Sequence, residues 1–230
     1  MLTKYSASNT IIFPDPEKAD HDGLLAVGGD LSVNTLINAY SHGIFPWYSE
    51  GSPILWWCPD PRLVLFPEKL KTSKSLRQII NQKKYSVKID TCFREVIENC
   101  ASMNRKNQEG TWITDEMKES YILLHNEGYA HSVETFYNDK LIGGLYGVSL
   151  GKVFFGESMF FKMTDASKVA LYYLVERLKI LKFHFIDAQQ STQHMKTMGA
   201  EEISRKKFIK MLTVALKVSA KDKNGISFEN

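Results

Sequence analysis

Glu157 sits inside an almost wholly apolar run, Val153-Phe154-Phe155-Gly156-Glu157-Ser158-Met159-Phe160-Phe161. Four phenylalanines, a valine and a methionine read as a strand buried on both faces. A carboxylate there is costly unless it is paired, and a glycine inside a strand marks a bulge or a close approach. Two readings stand side by side: a bulge that turns Glu157 to solvent, or a cleft where the sheet opens and Glu157 faces a cation or an amine. A second polar group follows the apolar strand Phe183-His184-Phe185-Ile186, namely Asp187-Ala188-Gln189. Side chains at i and i+2 of an extended chain share a face, so Asp187 and Gln189 are expected to point together into the opening that Glu157 faces. A single Asp at a strand end is more often a cap or a turn residue. An Asp and a Gln beside an embedded Glu favour the functional reading.

Two further groups have chemical potential. From Glu68 to Lys88 the chain carries seven basic residues, among them Lys74, Arg77, Lys83 and Lys84, and one acid. A solvated helix face is the usual meaning of such charges, and a phosphate-binding patch is the rival. Three of the four tryptophans fall between Trp47 and Trp57. Trp56 and Trp57 read as core; Trp47, between a proline and polar turn residues, reads as an exposed stacking platform. Other motifs carry little. Gly147-Val148-Ser149-Leu150-Gly151-Lys152 is one residue short of a phosphate loop and lacks its Ser/Thr, so it reads as a hairpin turn. The six histidines show no metal-ligand spacing, and no nucleophile–base arrangement is visible.

The elements that must position these groups follow from periodicity and punctuation. Ile11 to Phe13 reads as a short strand. Ser32 caps a helix with Val33, Leu36, Ile37 and Tyr40 on its apolar face, stopped by Gly43. The two prolines around Asp60 suggest a boundary between a small N-terminal α/β domain (1–61) and the remainder (62–230). A helix from Lys74 buries Leu76, Ile79 and Ile80; Tyr85 to Asp90 alternates as a strand; a helix then buries Phe93, Val96, Ile97 and Cys100. Thr114 caps a helix that ends at Gly128. Three strands follow, Ala130–Tyr137, Lys140–Ser149 and Lys152–Phe161, joined by turns at Asn138-Asp139 and Leu150-Gly151. Gly143-Gly144 permit close packing there. A helix from Ala166 to Leu181, the Phe183–Ile186 strand, a short helix to Met198, a last helix over Phe208–Leu216 and a frayed polar tail over 217–230 complete the chain. Strand, two helices, three antiparallel strands, helix, strand, helix is the order of a GNAT-like (acyl-CoA N-acyltransferase-like) domain. The expected class is therefore α+β, with a mixed, mostly antiparallel sheet flanked by helices. In that fold acyl donors bind where two central strands splay, which is where Glu157 and the end of the Phe183–Ile186 strand fall; likeness of fold does not by itself assign a function.

With 43% hydrophobic and 24% charged residues over 230, the chain can bury a full core. No apolar leader and no span-length apolar run are present, so neither secretion nor membrane insertion is expected. Cys58, Cys92 and Cys100 lack metal spacing and suit reduced cytoplasmic thiols. A net charge of +3 means that any nucleic-acid partner has to be held by a local patch. No heptads appear, so a monomer is expected.

The runs Gly43-Ile44-Phe45-Pro46-Trp47, Trp56-Trp57-Cys58-Pro59-Asp60-Pro61-Arg62, Gly110-Thr111-Trp112-Ile113-Thr114, Phe155-Gly156-Glu157-Ser158-Met159-Phe160, Ala166-Ser167-Lys168 and Phe185-Ile186-Asp187-Ala188-Gln189 closely resemble the leucyl/phenylalanyl-tRNA–protein transferases, in consistent order from Phe13 to Leu212. The resemblance implies a cytoplasmic enzyme that moves Leu or Phe, with Met as a further candidate, from aminoacyl-tRNA to proteins whose N-terminus is Lys or Arg, creating a degradation signal without metal or coenzyme. By the same resemblance Asp187 polarises Gln189, which orients or receives the amine. Glu157 holds the cationic acceptor or the aminoacyl amine, and Trp47 and Trp112 stack on the terminal adenine. Leu145, Phe154, Gly156, Met159, Leu174, Leu178 and Ile186 form the aminoacyl pocket, although Leu174 and Leu178, one helical turn apart, equally suit plain core. Lys74, Arg77, Lys83 and Lys84 are assigned to tRNA phosphates. One departure is informative: the family commonly has Asp-Cys-Gln where this chain has Asp187-Ala188-Gln189, which argues for direct transfer without a thioester. Two rivals remain. An acetyl-CoA-dependent N-acetyltransferase needs bare N–H groups at the turn Lys162-Met163-Thr164-Asp165-Ala166, which Asp165 as N-cap is expected to occupy. A non-catalytic RNA-binding module would use the basic patch and Trp47 alone.

Overall fold

Caps and alternation build the framework as the sequence dictates. The computed structural model describes residues 4–5, 11–103 and 112–217. Ser32 accepts the Thr35 N–H and starts α1 (Val33–Ser41). Gly43 follows at φ 74°, where a Cβ would lie 2.6 Å from the Phe208 ring, so a turn and a close contact both require glycine. The strands β1 (Lys4–Tyr5) and β2 (Ile11–Ile12) pair with each other, and β3 (Leu24–Val27), β4 (Phe45–Pro46) and β5 (Leu55–Trp57) form a three-stranded sheet in the order β3-β5-β4.

From Arg62 the chain enters a seven-stranded sheet. Its strands are β6 (Arg62–Leu65), β7 (Ser86–Ile89), β8 (Ala130–Tyr137), β9 (Lys140–Leu150), β10 (Val153–Phe161), β11 (Phe185–Gln189) and β12 (Glu201–Ile203), in the order β12-β6-β11-β10-β9-β8-β7. Only β10 and β11 run parallel. The helices are α2 (Lys74–Asn81), α3 (Phe93–Ala101), α4 (Asp115–Asn126), α5 (Ala166–Ile180), α6 (Gln193–Thr197) and α7 (Arg205–Lys217). The class is thus α+β, a mixed and mostly antiparallel sheet flanked by helices, with the element order expected from the sequence. The burial alternates as a two-sided strand demands: Phe154, Leu145, Ile186 and Leu63 join the core under α5, whereas Phe155, Tyr146, Phe185 and Val64 join the one shared with α1, α3, α4 and α7. That second core also contains Leu25, Phe45 and Trp56, so the small sheet and the large one share it. Gly143 lets α5 settle on β9, since a Cβ there would lie 2.5 Å from that of Ala166.

Several expectations are corrected. The strand read as Phe183–Ile186 is β11, Phe185–Gln189, so Asp187 and Gln189 lie within the sheet. Arg62–Leu65 and Glu201–Ile203 are strands too short to show a period. Asp165 does not cap α5: it sits at φ 62°, makes no capping hydrogen bond, and its carboxylate pairs with Lys168 at 2.7 Å. The tail expected to fray falls outside the described residues beyond Lys217, which itself is helical. Among the described residues no helix is long and apolar enough to cross a membrane.

Candidate active site

The parallel pairing of β10 with β11 ends at Phe155 and Asp187. Immediately beyond it both strands bulge. On β10 the register with β9 shifts between Gly156 and Ser158, leaving Glu157 as the extra residue; on β11 the register with β6 shifts between Asp187 and Gln189, leaving Ala188. Two adjacent strands that bulge at one level part there, and the gap is floored by polar side chains.

Glu157 is 9% exposed. Its Oε1 accepts the Tyr40 hydroxyl at 2.7 Å and the Gln189 Nε2–H at 2.8 Å, and its Oε2 accepts the Tyr121 hydroxyl at 3.2 Å. The Tyr40 and Tyr121 hydroxyl oxygens also contact each other, and either hydroxyl can donate there in place of its bond to Glu157. Burial pushes the Glu157 carboxyl up to about 7, with the charge of Asp187 adding to the rise and the tyrosine and glutamine donors opposing it. Burial and then the charge of Glu157 hold both phenols well above their usual range, so they stay protonated donors. This glutamate is therefore buried and satisfied by neutral groups.

Asp187 is arranged differently. It is fully buried; its Oδ1 accepts Arg62 Nε–H at 2.8 Å and the Gln189 backbone N–H at 2.9 Å, and its Oδ2 accepts Arg62 Nη2–H at 2.6 Å. The guanidinium packs on the Phe45 and Phe208 rings, 4.8 and 4.5 Å from their centroids. Burial opposes its charge, but the Asp187 carboxylate outweighs that and raises its pKa. The expectation that Asp187 and Gln189 share one face is corrected, because the bulge at Ala188 breaks the i, i+2 parity. Asp187 turns to Arg62, Gln189 turns to Glu157, and Asp187 reaches Gln189 through the main chain.

Two cavities flank this junction and share Gly156, Glu157, Ala188 and Thr192. One, about 340 Å³, is lined by Leu145, Phe154, Gly156, Met159, Leu174 and Ile186 of the expected pocket, together with Leu171, His194 and Met195, which the sequence did not single out. Leu178 is not in its wall; it is wholly buried in the core. The other, about 360 Å³, is lined by Phe45, Trp47, Trp112 and Gln189. Trp47 is half-buried rather than a free platform: its ring meets Trp57 edge-on at 5.6 Å, and its carbonyl accepts Trp57 Nε1–H at 2.6 Å. Both tryptophans also line a third, larger cavity of about 900 Å³. No cysteine lines the two cavities at the junction, and Cys58 is buried, its thiol pushed up by burial.

Lys74 and Arg77 lie on the exposed side of α2, opposite buried Leu76, and Lys83 and Lys84 follow in the next turn, all four exposed. Arg77 donates to Thr72 Oγ1 at 2.9 Å, and no carboxylate neutralises any of the four among the described residues. The residues that sequence reasoning missed are Arg62, Tyr40, Tyr121 and, at the first cavity, Leu171 of α5 and the α6 residues. Tyr40 was visible only as part of an apolar helix face, and Arg62 only as the end of a motif.

Comparison with known proteins bears on this arrangement. The family model of leucyl/phenylalanyl-tRNA protein transferase matches residues 64–213, and that of the N-terminal domain of the same family matches residues 29–60. A leucyl/phenylalanyl-tRNA–protein transferase of Desulfatibacillum aliphaticivorans is 54% identical over 208 residues, 90% of this chain and 89% of that one. One of Maridesulfovibrio salexigens is 56% identical over 206 residues, 89% and 86% of the two chains. Among solved structures, a GCN5-related N-acetyltransferase from Kribbella flavida superposes with a TM-score of 0.38 at 6% identity, covering 72% of this chain and 58% of that one. On the strength of the family models and of the relatives that match nearly end to end, the chain belongs to the leucyl/phenylalanyl-tRNA–protein transferase family.

Proposed function

We propose that the chain transfers Leu or Phe, with Met as a further candidate, from aminoacyl-tRNA to the α-amine of proteins beginning with Lys or Arg, and that the product is a degradation signal. Family membership supports the reaction class. The observation that carries the reading for this chain is the Glu157–Gln189 hydrogen bond of 2.8 Å at the meeting of the apolar cavity and the tryptophan-walled one. The aminoacyl side chain enters the first, the terminal adenosine the second, and the ester joining them crosses the junction. A charged-tRNA donor places the work in the cytoplasm.

Since the Gln189 amide N–H donates to Glu157, its carbonyl oxygen is the atom left to accept a hydrogen bond from the attacking amine. The amine nitrogen bonds to the ester carbonyl carbon, the bond to the ribose oxygen breaks, and the amine's proton ends on that oxygen. Positioning supplies roughly 7–11 kcal/mol in such reactions, whereas acid–base help worth about 10²–10⁴-fold amounts to ~3–5 kcal/mol. An acceptor amine with a pKa of ~8 is partly neutral near pH 7, so orienting it matters more than deprotonating it. Ala188 offers no thiol, which supports direct transfer. Glu157 Oε2, with one donor at 3.2 Å, has capacity for the incoming ammonium or the aminoacyl amine. Lys74, Arg77, Lys83 and Lys84 hold tRNA phosphates, and the chain works as a monomer.

The experiment is transfer of labelled Phe from charged tRNA to an Arg-starting peptide, run beside labelled acetyl-CoA. Label on the peptide from tRNA alone is the expected result. Label from acetyl-CoA would establish the acetyltransferase instead, and tRNA binding with no transfer would leave an RNA-binding module.

A further inference from the structure

Arg62 has no route to a substrate. It is fully buried, two of its nitrogens bond Asp187, the Phe45 and Phe208 rings pack on its guanidinium, and its Nη1 has no hydrogen-bond partner among the described residues. A buried ion pair with a donor left over is a poor way to stabilise a fold, since an apolar pair of similar volume commonly does as well or better. What the pair holds is more telling. Asp187 Oδ1 accepts the Gln189 N–H as well as Arg62 Nε–H, and Gln189 stands at φ 60°, a conformation disfavoured for a residue with a side chain. From that backbone the Gln189 amide donates to Glu157 across the bulge. The same guanidinium packs on Phe45, which lines the tryptophan-walled cavity.

We propose that Arg62 is a positioning residue for aminoacyl transfer: its planar two-donor fork fixes Asp187, Asp187 locks the left-handed backbone of Gln189, and Gln189 is thereby held between Glu157 and the acceptor amine. Arg62 thus acts through two other residues without touching substrate. The inference rests on the transfer reading above, and it recasts Asp187 as an anchor for a backbone rather than a group that polarises an amide. A lysine would not substitute, because a single ammonium cannot hold both carboxylate oxygens in one plane.

The test uses the full chain, Phe-tRNA and an Arg-starting peptide, with Arg62→Lys and with Arg62→Met combined with Asp187→Leu, an apolar pair expected to keep the fold. Arg62→Lys should lower the single-turnover rate about 10–100-fold, as small misplacements do, while KM for Phe-tRNA stays within about twofold. The apolar pair should lose at least as much rate with an unchanged melting temperature. In both, the Gln189 amide, followed by 15N-resolved hydrogen exchange, should exchange about tenfold faster or more, while amides of β9 and β10 stay protected. Wild-type single-turnover rates in both variants overturn the proposal. So does a rate loss matched by reduced protection throughout the sheet, which would make Arg62 merely structural. If the wild-type chain transfers nothing while the Gln189 amide still loosens selectively, the transfer reading falls and the coupling of Arg62 to Gln189 stands.

Discussion

Glu157 and Asp187 are buried carboxylates on neighbouring strands, and their surroundings differ in one decisive respect. Asp187 faces a guanidinium that compensates its charge inside the protein. Among the described residues Glu157 meets only neutral donors, two phenols and an amide, and burial lifts its carboxyl to about 7. A paired carboxylate becomes part of the framework, fixing a backbone at a bulge. A carboxylate satisfied by neutral groups keeps an unmet preference for a cation, and this one lines both cavities. Placing the two side by side lets one hold geometry while the other meets the substrate.

The contrast is broken most directly at Asp187. Asp187→Ala leaves Arg62 buried without its acceptor and the Gln189 N–H unsatisfied, so it should cost ~3–5 kcal/mol in urea denaturation. Glu157→Ala removes a group whose donors are neutral, and a tyrosine hydroxyl released from it can donate to the other, so it should cost ~1–3 kcal/mol. Equal losses would mean that the two carboxylates are structurally alike.

The next test uses pH. The folded-state pKa of Glu157, about 7, lies above the ordinary 4.5, so the fold favours its protonated form. The stability contributed by this group is fully present below pH 4.5 and is lost as pH rises through 7. Glu157→Gln removes that dependence. The variant should therefore gain on wild type in stability between pH 5 and pH 8, by up to a few kcal/mol, read from denaturation at both pH values. Transfer should move the other way: wild type gains rate as Glu157 ionises near pH 7, and the variant lacks that limb and is slower above it. A variant that loses stability relative to wild type as pH rises would show that Glu157 is ionised and compensated after all.

The sequence made much of this framework legible, and physics explains where it stopped. The caps at Ser32 and Thr114 and the strands from Ala130 to Phe161 follow from local rules, and each lies where those rules place it. The polar groups on β10 and β11 were legible as types. Their orientation was not, because one extra residue at Ala188 reverses the face of everything after it. Arg62 and Asp187 are 125 positions apart, so no periodicity links them. Tyr40 and Tyr121 carry apolar rings that satisfy a helix face, and that hides the hydroxyl that matters. The roles of Trp112 and the aminoacyl pocket came from resemblance to a family, and Leu178 shows its limit: the position matches and the side chain lies in the core.

If the cavity side of Glu157 is where substrate meets protein, changes there should affect the donor more than the fold. Trp47→Ala and Trp112→Ala should each weaken use of aminoacyl-tRNA by ~1–3 kcal/mol, the worth of a base–aromatic stack. Their stability losses should stay below that of Trp56→Ala, a wholly buried tryptophan expected to cost ~3–5 kcal/mol. Trp47 should lose somewhat more than a fully exposed tryptophan because of its packing on Trp57. Thermal melts together with KM for Phe-tRNA separate the two effects. A loss at Trp47 as large as at Trp56, with KM unchanged, would make it core.

The smallest effect on the chemical step belongs to the charges farthest in character from the buried pair. Lys74 and Arg77 are exposed and face no carboxylate among the described residues, so their charges are available to a polyanion and contribute little to the fold. Lys74→Glu with Arg77→Glu should leave the melting temperature and the single-turnover rate at saturating Phe-tRNA unchanged. Its effect should fall on binding. Deleting one cation that neutralises a phosphate takes ~0.7–0.9 off the slope of log K against log salt, so deleting two flattens it by about 1.5. The weakening should therefore be large at low salt and fade as salt rises, with the preference between Leu-tRNA and Phe-tRNA unmoved, because phosphate binding carries no information about the amino acid. Wild-type tRNA affinity at both low and high salt would show that α2 presents only a solvated face. A slower single turnover at saturation would instead tie the patch to the geometry at Glu157.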